Sequence, residues 1–215
     1  MRHLFRQPER YFIMNTIQDY LQTQALCVSP DEVAISRVAV QTVMAHAKAH
    51  IENSVWQHNK LPEYLCQQTA IFKQLYLALD SVYERNPVQS VVIYGYFSET
   101  NELIRFAQMG QEIENHLSVN EENAQRYLAV RTAQAGWANI VTDTQKWLAH
   151  QELLGEHHQR NRAQISLPIC GENGVIYGIL HLENQQNFTQ EEIATWTGVA
   201  LGVLPNMQQL LTQNV

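Results

Sequence analysis

Apolar residues in the first 86 positions recur at steps of three and four without a single glycine, the spacing of helix faces rather than strands. Ser29-Pro30-Asp31-Glu32 joins an N-cap serine, proline at the first helical position and a glutamate at the capping-box position. From it, Val33, Val40, Met44, Ala47, Ile51 and Val55 predict one helix reaching about Gln57. Leu65, Phe72, Leu75, Tyr76, Leu79 and Val82 predict another from Pro62 to Tyr83, ended by Asn86-Pro87. A weaker helix is expected over Glu9 to Leu26. Single apolar stripes of this length bury themselves against one another, a following domain or a second subunit.

After Pro87 the period changes. Ser90 to Phe97 is rich in β-branched and aromatic residues, Ser98-Glu99-Thr100-Asn101 is turn-like, and Glu102 to Met109 returns as a second strand closed by Gly110. Asn123 to Gln134 reads as helix, Gly136 to Asp143 as a short extended piece and Thr144 to Leu154 as helix. Ala163 to Cys170 and Val175 to Glu183 flank Gly171-Glu172-Asn173-Gly174, whose Asn-Gly pair predicts a type I′ hairpin turn. Thr189 and Glu192 form a capping box beside a Phe188–Ile193 staple, which opens a last helix striped by Ile193, Trp196, Ala200, Leu204, Met207 and Leu211, with a kink expected at Pro205. Helices, then antiparallel strands, then a closing helix predict an α+β fold: a helical N-terminal region over residues 1–86 and a sheet-containing domain over 87–215.

Composition narrows the functional classes. The 14 basic and 21 acidic residues give a net charge of −7 and no visible basic patch, so nucleic acid is not an expected partner. No apolar run approaches the roughly 20 residues of a membrane span. The opening Met1 to Arg10 is interrupted by charge and proline and cannot supply a secretory core, so the cytoplasm is the expected location. Cys27, Cys66 and Cys170 are odd in number and widely spaced, and read as reduced thiols rather than a disulfide or metal framework. The phosphate loop, the dinucleotide-binding Gly-x-Gly-x-x-Gly, the zincin His-Glu-x-x-His and the Gly-x-Ser-x-Gly elbow are all missing from the chain.

The segment Gly136-Trp137-Ala138-Asn139-Ile140-Val141-Thr142-Asp143, followed by Arg162 to Ile169, Gly174 to Asn184 and Phe188-Thr189-Gln190-Glu191-Glu192, resembles the GAF domains in order and spacing. The resemblance runs from Pro87 to about Leu211. It implies a central antiparallel sheet flanked by helices, a ligand-sized pocket, small-molecule sensing and dimer contacts through the flanking helices. In the family the serine of the Arg-x-x-x-Ser strand and the position two residues on face the ligand. That resemblance turns Ser166 and Pro168 inward, and Ile165, Leu167 and Ile169 toward the helices. The matching inward set on the returning strand is Tyr177, Ile179, His181 and Glu183, although His181 and Glu183 also suit a solvated face.

Trp137, Arg162, Ser166, Tyr177 and His181 are therefore the candidate ligand residues. Arg162 suits an anionic group or a surface carboxylate, and Trp137 a ligand wall or the core. His157-His158 with His181 or Glu183 could hold a metal, as could His46 and His50 one helical turn apart, but a solvated loop and a lone pair are the simpler readings, and no metal is expected. Three branches of the family demand more than this sequence offers. The free methionine sulfoxide reductases need a loop thiolate, yet no cysteine lies between Cys66 and Cys170. The cyclic-nucleotide signature Asn-Lys-x-x-Phe-x-x-x-Asp-Glu meets Asn184-Gln185-Gln186-Asn187-Phe188 and Glu192-Ile193, and covalent bilin binding lacks its cysteine. Gly198 and Gly202 read as close helix packing in water. The expectation is a non-enzymatic, homodimeric sensor of a small non-covalent ligand that relays binding to a dimer or signalling partner. A ligand-free adaptor and a sulfoxide reductase-like enzyme are the alternatives.

Overall fold

The computed structural model describes residues 9–212. The opening residues 1–8, which carry most of the segment read above for a secretory core, lie outside them. A six-stranded antiparallel sheet runs in the order β3-β2-β1-β6-β5-β4, from β1 (Ser90–Phe97), β2 (Glu102–Gly110), β3 (His116–Ser118), β4 (Asn139–Val141), β5 (Ala163–Cys170) and β6 (Ile176–Asn184). One face carries α1 (Glu9–Thr23), α2 (Pro30–His46), α4 (Thr69–Tyr83) and α8 (Gln190–Thr212); short α3 (Glu63–Cys66) precedes α4. The other carries α5 (Glu121–Arg126) and α6 (Leu128–Ala135), and α7 (Thr144–Ala149) follows β4. This is the expected α+β arrangement; α2, α3 and α4 share one core with the sheet, and α1 packs on α2 and α8 through Ile17 and Leu21.

Local chemistry explains most element ends. The Ser29 side chain accepts from the Glu32 amide, and Pro30 opens α2. Thr189 and Glu192 exchange their capping-box bonds at 2.7 and 3.2 Å, and α8 continues through Pro205 to Thr212. Three predicted helices are shorter or divided. α2 stops at His46 rather than Gln57, because the chain from Ala47 onward turns extended and carries Trp56 into the core. There Trp56 stacks on Phe72 with ring centroids 5.8 Å apart, and the Tyr76 hydroxyl donates to the Val55 carbonyl. Ile51 and Val55 thus belong to a loop, and His46 and His50 do not share a helix turn. The Pro62–Tyr83 stretch breaks at Gln67–Gln68, and Asn123–Gln134 breaks at Tyr127, a single extended residue at φ −132°, ψ 117°. α7 ends at Ala149, five residues short of the expected Leu154.

The hairpin turn between β5 and β6 is not type I′. Only Gly174 has positive φ, the Gly174 amide bonds back to Gly171 and the Gly171 amide to Val175, which is a type I turn closed by a left-handed glycine. Beyond the turn the register shifts once: Cys170 pairs with Ile176 and Ile169 with Gly178, so Tyr177 is a bulge in β6. Gly198 and Gly202 let α8 lie on α2: a Cβ at Gly198 would stand 2.5 Å from the Ser36 Cβ.

Candidate functional site

Strand parity divides the sheet cleanly. Ile165, Leu167, Ile169, Leu180 and Leu182 pack beneath α2, α4 and α8. On the opposite face Ser166 lies across from His181, Gln164 from Glu183, and His181 from Val92 of β1. Tyr94 of β1 joins this face and sends its hydroxyl 2.8 Å to the Glu114 carbonyl, in the loop between β2 and β3.

The short 3-10 turn Glu156–Arg160 supplies the charge and the imidazoles. Arg160 forms a two-pronged ion pair with Glu183 at 2.9 and 3.2 Å, and the Glu183 side chain is only 3% exposed. Burial alone would raise this carboxyl; His181, 3.7 Å away, and Arg160 more than reverse it and hold it down to about 2. At that distance His181 acts on Glu183 by charge when protonated, whereas Arg160 has hydrogen-bond geometry. His158 is buried with both ring nitrogens engaged: Nε2 lies 2.6 Å from the Arg126 carbonyl, and the Gln164 amide approaches Nδ1 at 2.6 Å. These contacts fit a neutral ring protonated at Nε2, and burial, then the adjacent His157, pull its pKa down to about 4. His157 stacks on Tyr127 with centroids 4.9 Å apart, and burial lowers its pKa as well.

Between Tyr94, Glu114, Tyr127, His157, His181 and Glu183 lies an enclosed space of about 10 Å³, the scale of one water molecule. The Ser166 hydroxyl, His181 Nδ1, Gln164 Oε1 and Glu114 Oε2 are buried on this face and have no hydrogen-bond partner among the described residues. Tyr127 and His157, each half-buried, form the partly exposed side of the space.

Of the five sequence candidates, the structure brings Ser166 and His181 together and separates the rest. Tyr177 points to the helical face and packs with the main core, because it is the bulged residue of β6, where strand parity breaks. Trp137 is 53% exposed in the loop after α6. Arg162 is exposed too; its backbone bonds Asn184 and Thr144, while its predecessor Arg160 carries the buried charge. Pro168 shares the inward face, opposite Ile179. His181 and Glu183, for which a solvated face was also open, are buried. His157 and His158, read above as loop or metal ligands, both turn to the Arg126 carbonyl, and among the described residues no group of three His, Cys, Asp or Glu is placed to hold a metal. Glu114 and Tyr127 carried no sequence signal; Tyr94 could have been found by extending the β6 parity across the ladder to β1.

The three thiols lie elsewhere. Cys27 is exposed after α1, Cys66 ends α3, and Cys170 ends β5, where burial pushes its thiol pKa up. None of them lines the enclosed space.

Neither a family profile nor a curated protein sequence matches the chain. Solved structures do match. The GAF domain of an Acinetobacter phosphoenolpyruvate-protein phosphotransferase is similar at 11% identity and TM-score 0.58, covering 84% of this chain and 95% of that one. A GAF domain from the corresponding protein of Coxiella burnetii is similar at 14% identity and TM-score 0.55, covering 82% and 95%. The free methionine-R-sulfoxide reductase of Neisseria meningitidis, solved with its substrate, is similar at 16% identity and TM-score 0.57, covering 89% and 99%. The chain has a GAF-like fold. Sensors and reductases share it, so these likenesses establish architecture and leave activity to the site.

Proposed function

We propose that this chain is a non-enzymatic regulatory domain that senses a small, hydrogen-bonding molecule on the Ser166–His181 face of its sheet. One observation carries the reading: Ser166, His181 and Glu114 bring three buried, unpartnered polar atoms to one face. An unpaired buried polar group costs about 1–3 kcal/mol, so a ligand that pairs with these atoms recovers that cost on binding. The anionic ligand suggested by Arg162 gives way to a neutral one. Arg162 faces solvent, and the guanidinium nearest the space, Arg160, is already engaged by Glu183. A molecule larger than water enters as Tyr127 and His157 swing aside. Because Tyr127 is the break between α5 and α6, that movement links occupancy to helix position.

The absence of a thiol from the lining, and the raised pKa of Cys170, support a non-catalytic role. Three free cysteines suit a reducing cytoplasm. No helix among the described residues is long and apolar enough to cross a membrane. For assembly, α2 leaves Ile35 70% and Val38 54% exposed, which supports a homodimer through that helix face. Thermal-shift screening against neutral amides, polyols and amino acids, on wild type and on His181→Phe, tests the sensor. The expected result is a stabilising hit that the substitution removes. No hit across the panel favours the ligand-free adaptor, whose support is the 10 Å³ size of the space. Turnover of free methionine sulfoxide that disappears when all three cysteines become serine would favour the enzyme.

A further inference from the structure

The helical side of the molecule holds a second, larger concavity. It is a groove of about 520 Å³, within the usual size range of small-molecule sites, and no residue lining it lines the space at His181. One wall is the polar face of α1, where Asn15, Asp19 and Thr23 recur at helical spacing. The other is Leu201 and Leu204 of α8 with Ile176 of β6. The hairpin turn closes one end through Gly171 and Gly174. The walls are fixed before any ligand arrives: the Tyr20 hydroxyl donates to the Pro168 carbonyl at 2.9 Å, and the Gln24 side chain accepts from the Ala138 amide at 2.7 Å, tying α1 to the sheet.

Arg37 of α2 reaches into this groove half-buried. Its guanidinium makes no hydrogen bond or ion pair among the described residues; Glu172 acts on it only as a more distant charge, while burial lowers its pKa. Among the described residues the other partly buried arginines are bonded: Arg105 to Gln108 and Ile113, Arg131 to Ala124 and Glu152, Arg160 to Glu183. A planar, five-donor cation facing a half-apolar groove matches a carboxylate on an apolar body. Asp19 and Glu172, the carboxylates of this groove, are both exposed and solvated, which limits their repulsion of an anion at Arg37.

We infer that the groove between α1, α8 and the β5–β6 turn is a second ligand site, specific for a small amphipathic monocarboxylate whose head pairs with Arg37 and whose apolar body lies on Leu201, Leu204 and Ile176. The site is independent of the Ser166–His181 face. A ligand there touches α1, α8 and the β5–β6 turn together and adds to the bonds that already tie α1 to the sheet.

The test uses the whole chain and 2-naphthoate as the probe, with 2-naphthylmethylamine and 2-naphthamide as matched controls in titration calorimetry. The carboxylate is expected to bind at least tenfold more tightly than either control, and Arg37→Gln to remove that preference. Leu204→Trp, which fills the groove, is expected to abolish binding of all three. In a Cys27→Ser/Cys66→Ser variant, bound 2-naphthoate is expected to slow alkylation of Cys170, which lines the groove. That readout places the ligand even if Arg37→Gln folds poorly. Equal binding of acid and amine, unchanged affinity in Arg37→Gln, or no protection of Cys170 would overturn the inference. Loss of binding in His181→Phe with none in Leu204→Trp would move the ligand to the other face.

Discussion

Beneath α2, α4 and α8 the sheet buries Ile93, Phe106, Leu167, Leu180 and Leu182, and Phe72 fits between the rings of Trp56 and Phe106. Beneath α5 and α6 the same strands bury Gln164, Ser166, His181 and Glu183. Both faces are buried, yet among the described residues the second gathers a cluster of polar atoms without partners. The difference teaches where stability and function divide. A tightly packed apolar layer gains from every methylene, while a buried polar layer costs free energy until each group is paired. The Trp56 and Trp196 indole nitrogens are exceptions on the dry side, each buried without a partner, but they are single donors on large apolar rings rather than a cluster.

Substitutions sharpen this contrast. Phe72→Ala removes a wholly buried ring with two aromatic neighbours and is expected to cost about 3–5 kcal/mol in urea unfolding. A cost under about 1 kcal/mol would mean that the helical layer is loosely packed. On the polar face, Arg160→Ala leaves the Glu183 carboxylate buried and unpaired, for an expected loss of about 3 kcal/mol, and Glu183→Gln in the same background is expected to restore part of it. No rescue by the second change would show that the guanidinium acts through packing instead.

Acid titration probes the polar face. His158 falls from 6.5 to about 4 on folding, so its contribution is fully present above 6.5 and is lost as pH drops through the folded value. With 1.4 kcal/mol for each pKa unit, that limb is worth roughly 3 kcal/mol. Glu183, moved from 4.5 to about 2, adds a second loss that begins below 4.5. His158→Asn is expected to shrink the loss of stability between pH 6.5 and 4.5, to which His157 and His58, both lowered by burial, also contribute, while leaving the lower limb. An unchanged upper limb would assign it to another group.

Two smaller effects follow. Gly198→Ala forces a methyl onto Ser36 and is expected to destabilise by about 1–2 kcal/mol, despite alanine's better helix propensity. Ser166→Ala removes a hydroxyl that has no partner in the protein and is expected to leave the unliganded fold within about 0.5 kcal/mol of wild type or make it more stable. A cost above 1 kcal/mol would show that this hydroxyl is already satisfied.

The two hairpins and the closing helix were legible because period-two alternation, capping boxes and the Gly-Xaa-Xaa-Xaa-Gly pair are local signals that the fold obeys. Ile165, Leu167 and Ile169 pack on the helices as their parity implied. The site was less legible, for three physical reasons. A bulge at Tyr177 in β6 turns that side chain to the helical face, and nothing in Asn173-Gly174 distinguishes a type I turn with a left-handed glycine from type I′. In the segment Arg160-Asn161-Arg162, two residues decide which arginine turns inward, and only the path of the 3-10 turn settles it in favour of Arg160. Glu114 and Tyr127 reach the site from a loop and a helix break, for which no periodicity exists. α2 was overextended because Ile51 and Val55 continued its stripe, while the burial of Trp56 against Phe72 outweighed helix continuation.

Native mass spectrometry of the chain purified from its own cells, compared with His181→Phe prepared identically, addresses the sensor most directly. The account predicts a small neutral molecule retained by wild type, released on collisional activation and missing from the variant. The same adduct on both proteins, or a wild type without any adduct, would contradict it.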